Sequence, residues 1–442
     1  MFAEDPVPLD EMAPRLQRVL AASPAEHTEI SWLEVRRGQV SNGKRRRDSY
    51  ELHERTVLVR VRESGRTGIH RTGASRSSEL ENALREALAV ARLAPPSPAP
   101  QPPAGHDAPV DTAGLRDGEL AAMTPARARD MLQRLAEKGE TARLGWTEGR
   151  IAVADSRGLR RAAEVTSGWI EVIRGRQPGA GRATAASRSL AGLDPQRVFA
   201  RARQRHGPPD VVPPAAGPVP LLLSQEAAAS LIELFNRQAL SSEAFRSPSS
   251  FLRERLGQPV FHPAIQLRDD PTDRRGLPFP FDLLGAAARP LDMVADGVAL
   301  TPARDDGLAR DLGLPPTAQR VAPDEAVAGH LFLLPGQASE DDLLRAADGG
   351  IWASALEPLE AYDPATLRFR AVARGVRAVA GGALGRSLPD LIWEDALPSV
   401  LFRVLAVGAD LVPVATGAGL FRATTAPMLA LAAVSGLRFA TD

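Results

Sequence analysis

Hydrophobic and polar positions alternate along the first part of the chain in the manner of strands. Thr28 to Arg36 forms one predicted strand, and Glu54 to Glu63 alternates with a period of two and is rich in β-branched residues. Two further strands are predicted at 150–154 and 162–173, joined by a turn at 155–158. Together these segments predict an antiparallel sheet.

Helical spacing with clear start signals separates these strands. Ser78 followed by Glu81 has the spacing of a capping box before an amphipathic segment. Thr124 and Asp194 are each followed by a proline, which predicts a cap and a first helical position at both places. Strands and helices that do not alternate as regular βαβ units indicate an α+β domain.

Proline content divides the chain. We predict an N-terminal α+β domain at 1–207, which includes a proline-rich connector at 94–113, and a β-rich C-terminal domain at 219–442. The boundary is placed in 208–218, a segment rich in proline and alanine. The predicted fold class is therefore α+β, with an antiparallel sheet and helices first and a β-rich domain after it.

The second half begins with a short apolar strand at Val219 to Leu223, after which Ser224 caps a helix. From Val260 onward most segments are short and strand-like. A helix is expected within Leu391 to Ala406, and Met428 to Val434 has the pattern of a buried strand.

Composition excludes several classes of chemistry. The 442 residues contain no cysteine, which rules out disulfides and thiolate sites. The 54 basic and 54 acidic residues give no net charge, which argues against broad binding to nucleic acid. The acidic start of the chain does not resemble a signal peptide, and no apolar stretch is long enough to cross a membrane. We therefore expect a cytoplasmic protein.

Candidate metal ligands and nucleophiles are sparse. The two closest histidines, His53 and His70, are 17 positions apart, so no helix carries a pair of imidazoles at the spacing of a metal clamp. No hydrolase nucleophile elbow or phosphate-binding loop is present. Ser249, Ser250 and His262 leave open a hydrolase with a scattered Ser/His/Asp site, although a strand-end role for His262 is the simpler interpretation.

Charged clusters are interpreted as structural. The basic run at 44–47 follows Asn42-Gly43, a hairpin-turn signal, so a solvated hairpin tip is favoured over a nucleic-acid site. Acidic clusters at 269–270, 305–306 and 340–342 have the composition of turns and helix starts. The sequence therefore predicts no catalytic, cofactor-binding or metal-binding residue in this chain.

The order of segments nevertheless resembles the TldD/TldE (PmbA, modulator of DNA gyrase) metallopeptidase family, on its TldE/PmbA branch. In the first half the resemblance rests on a strand–turn–strand with the following helix and on the turn after it: Glu54 to His70, 79–93 and 155–158. In the second half it rests on a series of short matches in the same order: 251–257, 269–272, 281–285, 291–297, 334–336, 348–351, 406–410 and 426–429. At Leu284 this chain departs from the family pattern, which has glutamate there.

The resemblance implies one subunit of a heterodimeric zinc metalloprotease that cleaves unfolded peptides or modified-peptide precursors. In that family the TldD-like subunit supplies a His-Glu-x-x-x-His helix that binds zinc. The corresponding helix here, Ser224 to Glu233, contains no histidine. We therefore expect a non-catalytic TldE/PmbA-like subunit whose zinc lies in a TldD-like partner. A stand-alone hydrolase and a nucleic-acid-associated modulator remain as alternatives.

Overall fold

The computed structural model describes residues 7–43, 49–99, 102, 105, 107–208, 217–415 and 422–439. Its helices are α1 to α11, in chain order: Leu9–Ala21, Ser77–Leu93, Gly118–Ala121, Pro125–Leu135, Leu190–Leu193, Pro195–Arg205, Gln225–Phe235, Ser242–Arg246, Asp306–Leu312, Glu340–Ala346 and Leu397–Phe402. A π-helical segment, Asn236–Leu240, continues α7. Within the described ranges, no helix is long and apolar enough to cross a membrane.

The strands are β1 to β24. In the first half they are His27–Ser41, Tyr50–Glu63, Arg66–Thr72, Glu140–Asp155, Arg160–Arg174 and Gly181–Ser187. In the second half they are Val219–Leu223, Leu267–Asp269, Leu291–Ala295, Val298–Ala299, Arg320–Ala322, Glu325–Ala326, Leu331–Leu333, Ile351–Ala353, Ala355–Asp363, Arg368–Arg374, Arg377–Ala380, Ala383–Ser387, Leu391–Ala396, Val404–Val407, Val412–Val414, Thr424–Ala426, Leu429–Val434 and Leu437–Phe439.

The first half forms a six-stranded sheet in the order β3-β2-β1-β4-β5-β6, and all of its pairings are antiparallel. Side chains alternate between its two faces. Ile30 and Trp32 pack against α1 and α2, and Val40 on the same face packs against α4 and α6. Leu33, on the opposite face, packs against Phe281 from the second half of the chain. The sheet therefore lies between a helical layer and the C-terminal half.

The second half is built around α7. Two six-stranded sheets have the orders β10-β9-β8-β13-β22-β21 and β18-β17-β14-β7-β23-β20, and a third has the order β15-β16-β19-β24. Nine residues of α7 are buried, and the largest hydrophobic core of the chain includes the apolar ones. A helix buried on nearly all sides needs apolar residues around its whole circumference, which the sequence from Ala227 to Phe235 provides.

The predicted fold class is confirmed, and most predicted strands and helices are present. The predicted start of α2 is wrong by two residues, because Glu79 accepts hydrogen bonds from the backbone N–H groups of Ser75 and Arg76. The helix expected within 391–406 is present as α11 but occupies only part of that range. Residues 391–396 form β19, in which the side chains of Leu391 and Trp393 are buried in the core. The helix begins only at Leu397.

Helix α1 and strand β6 are among the elements that have no counterpart in the predictions. Helix α1 contains Pro14, which masks its helical signal, and β6 consists mostly of small residues with weak strand character. The predicted domain boundary falls largely on residues outside the described ranges, and the division into two domains stays a prediction. The basic run at 44–47 also lies outside them.

A line of five alternating charges connects the N-terminal sheet to the C-terminal half. Glu29 on β1 pairs with Arg60 on β2. Arg60 Nη1 lies 2.8 Å from Asp306 Oδ2 at the start of α9. Arg320 Nη1 lies 3.5 Å from the other carboxylate oxygen of Asp306, and its Nε lies 2.7 Å from Asp282 Oδ2. The five side chains are almost entirely shielded from solvent, so each depends on its neighbours for compensation.

Replacement of Arg60 tests this line of charges. Arg60→Ala leaves Glu29 and Asp306 buried without their shared cation, and it is expected to lower the free energy of unfolding by about 3–5 kcal/mol. Urea denaturation measures the change. Arg134→Ala is the control, because it removes an exposed arginine that pairs with Asp130 on α4, and it should cost about 1 kcal/mol or less. Equal effects of the two substitutions would contradict the expectation.

The same pair predicts a pH dependence. Burial opposes ionisation of Glu29, but Arg60 outweighs it and holds the pKa of Glu29 well below its ordinary value of 4.5. Stability from this pair is therefore present above about pH 4.5 and falls as the pH drops below it, because the unfolded chain then binds a proton that the folded chain does not. Denaturation midpoints between about pH 7 and pH 3 should fall less steeply for Arg60→Ala than for the native chain.

Candidate functional site

An open cleft of about 730 Å³, here called the main cleft, lies between the N-terminal sheet and the second half of the chain. Its floor is the sheet face opposite the helical layer, represented by Arg37 and Trp169. Its other walls come from α7 and β15, represented by Leu234 and Leu356. Apolar and charged side chains alternate around it, which is the composition expected of a ligand-binding groove.

The start of α7 is fixed firmly at one end of the main cleft. The Ser224 hydroxyl accepts a hydrogen bond from the Ala227 N–H at 3.1 Å and donates one to the Ser354 carbonyl at 2.6 Å. The cap satisfies a free N–H of the first turn, and the second bond ties the helix to the residue between β14 and β15. This arrangement buries the next two residues, Gln225 and Glu226, in the first turn.

Glu226 is bound to an arginine from α6. Arg205 Nη1 lies 3.1 Å from both carboxylate oxygens of Glu226, and its Nη2 donates to Gln225 Oε1 at 2.8 Å. The Thr184 N–H donates to Glu226 Oε1 at 3.1 Å. The Arg205 guanidinium also lies over the Trp352 ring, 5.2 Å from its centroid. A buried cation is thus held against the first turn of α7.

The pairing keeps Glu226 ionised. Burial alone would raise the pKa of Glu226, but the positive charges of Arg205 and Arg201 outweigh it and lower the pKa below the ordinary value. A carboxylate whose oxygens are already occupied by an arginine and a backbone N–H is a poor proton acceptor. Glu226 therefore serves as the counter-ion of Arg205.

Ion pairs also join opposite walls of the main cleft. Glu171 on β5 pairs with Arg143 on β4 and with Arg182 on β6. Arg182 reaches across to Glu357 on β15, with Nη1 and Oε2 separated by 2.5 Å. Burial opposes the charge of Arg182, but the neighbouring carboxylates raise its pKa. These contacts fix the distance between the N-terminal sheet and β15 at this end of the cleft.

Glu233, two turns along α7 from Glu226, is engaged in a similar way. It pairs with Arg237 at 2.8 Å, and its second oxygen accepts hydrogen bonds from the Asn236 amide at 3.2 Å and the Thr424 hydroxyl at 2.9 Å. The four glutamates that line the main cleft in the described residues, Glu171, Glu226, Glu233 and Glu357, therefore all have arginine partners.

The donor groups on α7 do not suit a metal. Helix α7 carries no histidine, and its two carboxylates, Glu226 and Glu233, are paired with Arg205 and Arg237. Among the described residues, no three histidine, aspartate or glutamate side chains form a group that could hold a metal ion. Zinc prefers imidazole, thiolate and free carboxylate ligands, so this donor set does not fit it.

His262, the histidine considered for a hydrolase, has a local role. Its Nδ1 accepts a hydrogen bond from the Ala264 N–H at 3.1 Å, which shapes the turn after it. Ser249 bonds to the Ser247 hydroxyl, and no hydrogen bond within the described part of the chain connects His262 to a serine or a carboxylate. The structure therefore does not bring these residues together as a catalytic set.

The acidic clusters at 305–306 and 340–342 lie at helix starts, as predicted, whereas Asp269 ends β8 and only Asp270 belongs to the turn that follows. Asp270 accepts hydrogen bonds from the Thr272 N–H and hydroxyl. Asp305 caps α9 by accepting from the Leu308 N–H at 2.8 Å. Ser339 and the residues at 340–342 form the capped start of α10. Asp306 also belongs to the line of five charges. The sequence pattern did not predict that role.

Sequence reasoning missed Arg205 as a functional residue, although the chain contains a signal for it. Val198 and Ala202 define the apolar face of α6, and Arg205 falls on that same face one turn later. A charged residue on the buried face of a helix indicates a buried partner. No spacing rule identifies that partner as Glu226, because the two lie on different helices that only the fold brings together.

Comparisons with known proteins agree with this architecture. The sequence model of the PmbA/TldA metallopeptidase C-terminal domain matches residues 216–436. No curated protein matches the chain significantly.

Solved structures of similar fold cover nearly the whole chain. A proposed modulator of a DNA gyrase from Thermotoga maritima has a TM-score of 0.80 at 20% identity, over 96% of this chain and 99% of its own. TldE from Thermococcus kodakarensis has a TM-score of 0.79 at 17% identity, over 97% and 99%. A proposed modulator of DNA gyrase from Bacteroides thetaiotaomicron has a TM-score of 0.75 at 16% identity, over 96% and 98%.

The Arg205–Glu226 pair gives a direct test of the site. Arg205→Met and Glu226→Gln each leave one buried charge unpaired, and each should lower the free energy of unfolding by about 3–5 kcal/mol. The double variant should lose much less than the sum, because neither charge then remains. Arg127→Ala, which breaks an exposed pair with Glu119, is the control and should cost about 1 kcal/mol or less. Additive losses in urea denaturation would refute the coupling.

Proposed function

The chain belongs to the PmbA/TldA metallopeptidase family, and we propose that it is the subunit that carries no zinc in a two-chain metallopeptidase. Its partner is a TldD-like chain that carries a His-Glu-x-x-x-His helix. The pair cleaves unfolded peptides or modified-peptide precursors. This chain shapes the chamber in which the substrate lies.

One observation carries the proposal: the first turn of α7 is bound to a buried arginine, Arg205, and offers no free metal ligand. The helix contains no histidine, and Glu226 in its first turn is the counter-ion of Arg205. The positive charge of the guanidinium balances the carboxylate and repels a divalent cation. Hydrolytic chemistry therefore needs a second polypeptide.

The partner's zinc would supply an activated water and polarise the peptide carbonyl. The contribution of this chain is to bind and to restrict access. Its main cleft has an apolar lining that includes Leu234, Leu277, Leu356 and Leu359. An extended, unfolded segment can bring alternate side chains to such a surface, whereas a folded domain is too wide to enter.

The edge of β15 supports binding of an extended chain. β15 is a terminal strand of its sheet and borders the main cleft from Ala355 to Leu359. The outer edge of a terminal strand presents backbone groups to which an extended peptide can add as a further strand. Glu357 and Pro358 limit this pairing to part of the strand, since proline has no N–H to donate.

Reconstitution tests the proposal. The purified chain alone should bind no stoichiometric zinc and cleave no peptide. Mixed with a TldD-like chain encoded in the same genome, it should form a complex that contains zinc and degrades an unfolded peptide. A chelator should abolish the activity. Metal analysis, size-exclusion chromatography and a peptide-release assay measure these outcomes.

The control is a TldD-like partner whose two motif histidines are changed to alanine. It should still associate with this chain but should yield an inactive complex without zinc. Chelator-resistant hydrolysis by the isolated chain, lost in His262→Ala, would instead support a stand-alone hydrolase. One tightly bound zinc in the isolated chain would contradict the proposed division of labour.

A further inference from the structure

Arg422 differs from the other arginines of the main cleft. Five arginines line the cleft, and four of them have a carboxylate within ion-pair distance: Arg37, Arg143, Arg182 and Arg237. Within the described part of the chain, Arg422 has no ion pair, and its guanidinium forms no hydrogen bond. It nevertheless lies mostly inside the protein, and burial lowers its pKa. A partly buried guanidinium whose N–H groups have no hydrogen-bond acceptor is costly unless a ligand supplies one.

The nearest acid is already engaged. Asp269 on β8 accepts a hydrogen bond from the His330 N–H at 2.7 Å and is further hydrogen bonded by Gln319 and the Gly329 N–H. Burial raises the pKa of Asp269 to about 6 despite these bonds. Asp269 attracts Arg422, but its oxygens are used to hold the segment at 329–330. The donors of Arg422 therefore stay available.

A second cation strengthens the local positive field. Arg188 is buried and donates hydrogen bonds to the carbonyls of Leu277 and Pro278 at 2.9 and 2.7 Å. Burial is the first cause that lowers the pKa of His330, to about 3, and Arg188 and Arg422 both add to it. His330 is therefore neutral. Asp269, Glu233 and Glu325 act on Arg422 at longer range, but within the described residues none of them forms an ion pair with it, so its N–H groups are left to bind an anion.

Behind Arg422 lies a second cavity of about 260 Å³, here called the side cavity. Its walls are largely apolar and come from both halves of the chain: Leu33, Ile151, Phe279, Phe281, Val321 and Val327. Arg422 lines both the side cavity and the main cleft. Pockets for whole small-molecule ligands have volumes of about 300 Å³ or more, so the side cavity suits a single side chain.

We propose that Arg422 binds the terminal carboxylate of a peptide in the main cleft, and that the side cavity accommodates its apolar last side chain. This inference rests on the proposed function for the substrate class, but it concerns binding by this chain alone. A guanidinium matches a carboxylate with two parallel hydrogen bonds. The apolar walls select leucine-like or aromatic residues at the terminus.

Peptide binding to the isolated, full-length chain tests the proposal. The probes are acetyl-Ala-Ala-Phe as the free acid, the same peptide as its amide, and acetyl-Ala-Glu-Phe-amide, all compared by calorimetry. The free acid should bind about tenfold to a hundredfold more tightly than its amide, the range expected for a hydrogen-bonded charge. Equal affinities of acid and amide would overturn the proposal. Binding of the Glu-containing amide as tightly as the acid would overturn the assignment to the terminus.

Variants separate the two parts of the site. Arg422→Gln should abolish the difference between acid and amide, whereas Arg345→Gln, which removes an exposed charge on α10, should preserve it. Ala288→Leu narrows the side cavity and should weaken phenylalanine at the terminus at least about tenfold relative to alanine. Persistence of the acid preference in Arg422→Gln would refute the role of the arginine.

Thermal stability gives an independent readout. If the role of Arg422 is to bind a ligand, the Arg422→Met variant should have the same melting temperature as the native chain or a higher one. The reason is that the substitution removes a charge that forms no ion pair or hydrogen bond in the described residues. If the role of Arg422 is structural, its replacement should instead lower the melting temperature, and that result would overturn the proposal.

The two proposals can fail separately. Peptide binding by this chain without partner-dependent proteolysis would refute the proposed function alone.

Discussion

The Arg205–Glu226 pair is the interaction on which the character of this protein depends. It joins α6 to α7 and places a fixed positive charge at the first turn of the central helix. In a buried site, a cation with five N–H donors satisfies a carboxylate without a metal. The only carboxylate in the first turn of the central helix is therefore occupied by a protein cation.

Other ion pairs join the N-terminal sheet to the second half of the chain. The line from Glu29 through Arg60 to Asp306 attaches the N-terminal sheet to the second half of the chain, and Arg182 with Glu357 connects the sheet to β15. The buried line adds little net stability compared with apolar packing, but it is costly to break. These pairs therefore hold the walls at a defined separation, which a binding groove requires.

Arg422 stands apart from this pattern, because within the described part of the chain it forms neither an ion pair nor a hydrogen bond through its guanidinium. Natural proteins retain groups that reduce stability where binding needs them. The paired arginines of the main cleft hold its walls together. Arg422, which lies where the main cleft meets the side cavity, is instead left to bind a ligand.

The sequence by itself determined the α+β class, the long strands β1, β2 and β5, and the capped starts of α4, α6 and α7, because period-two alternation and caps are local signals. It also excluded cysteine chemistry and paired histidines. The tertiary structure alone decided which charges meet. Arg205 and Glu226 are 21 positions apart, and Asp269 and Arg422 come from distant segments, so no spacing rule links them. The main cleft exists only because the sheet's second face packs against α7 and β15, a long-range choice that local patterns do not encode.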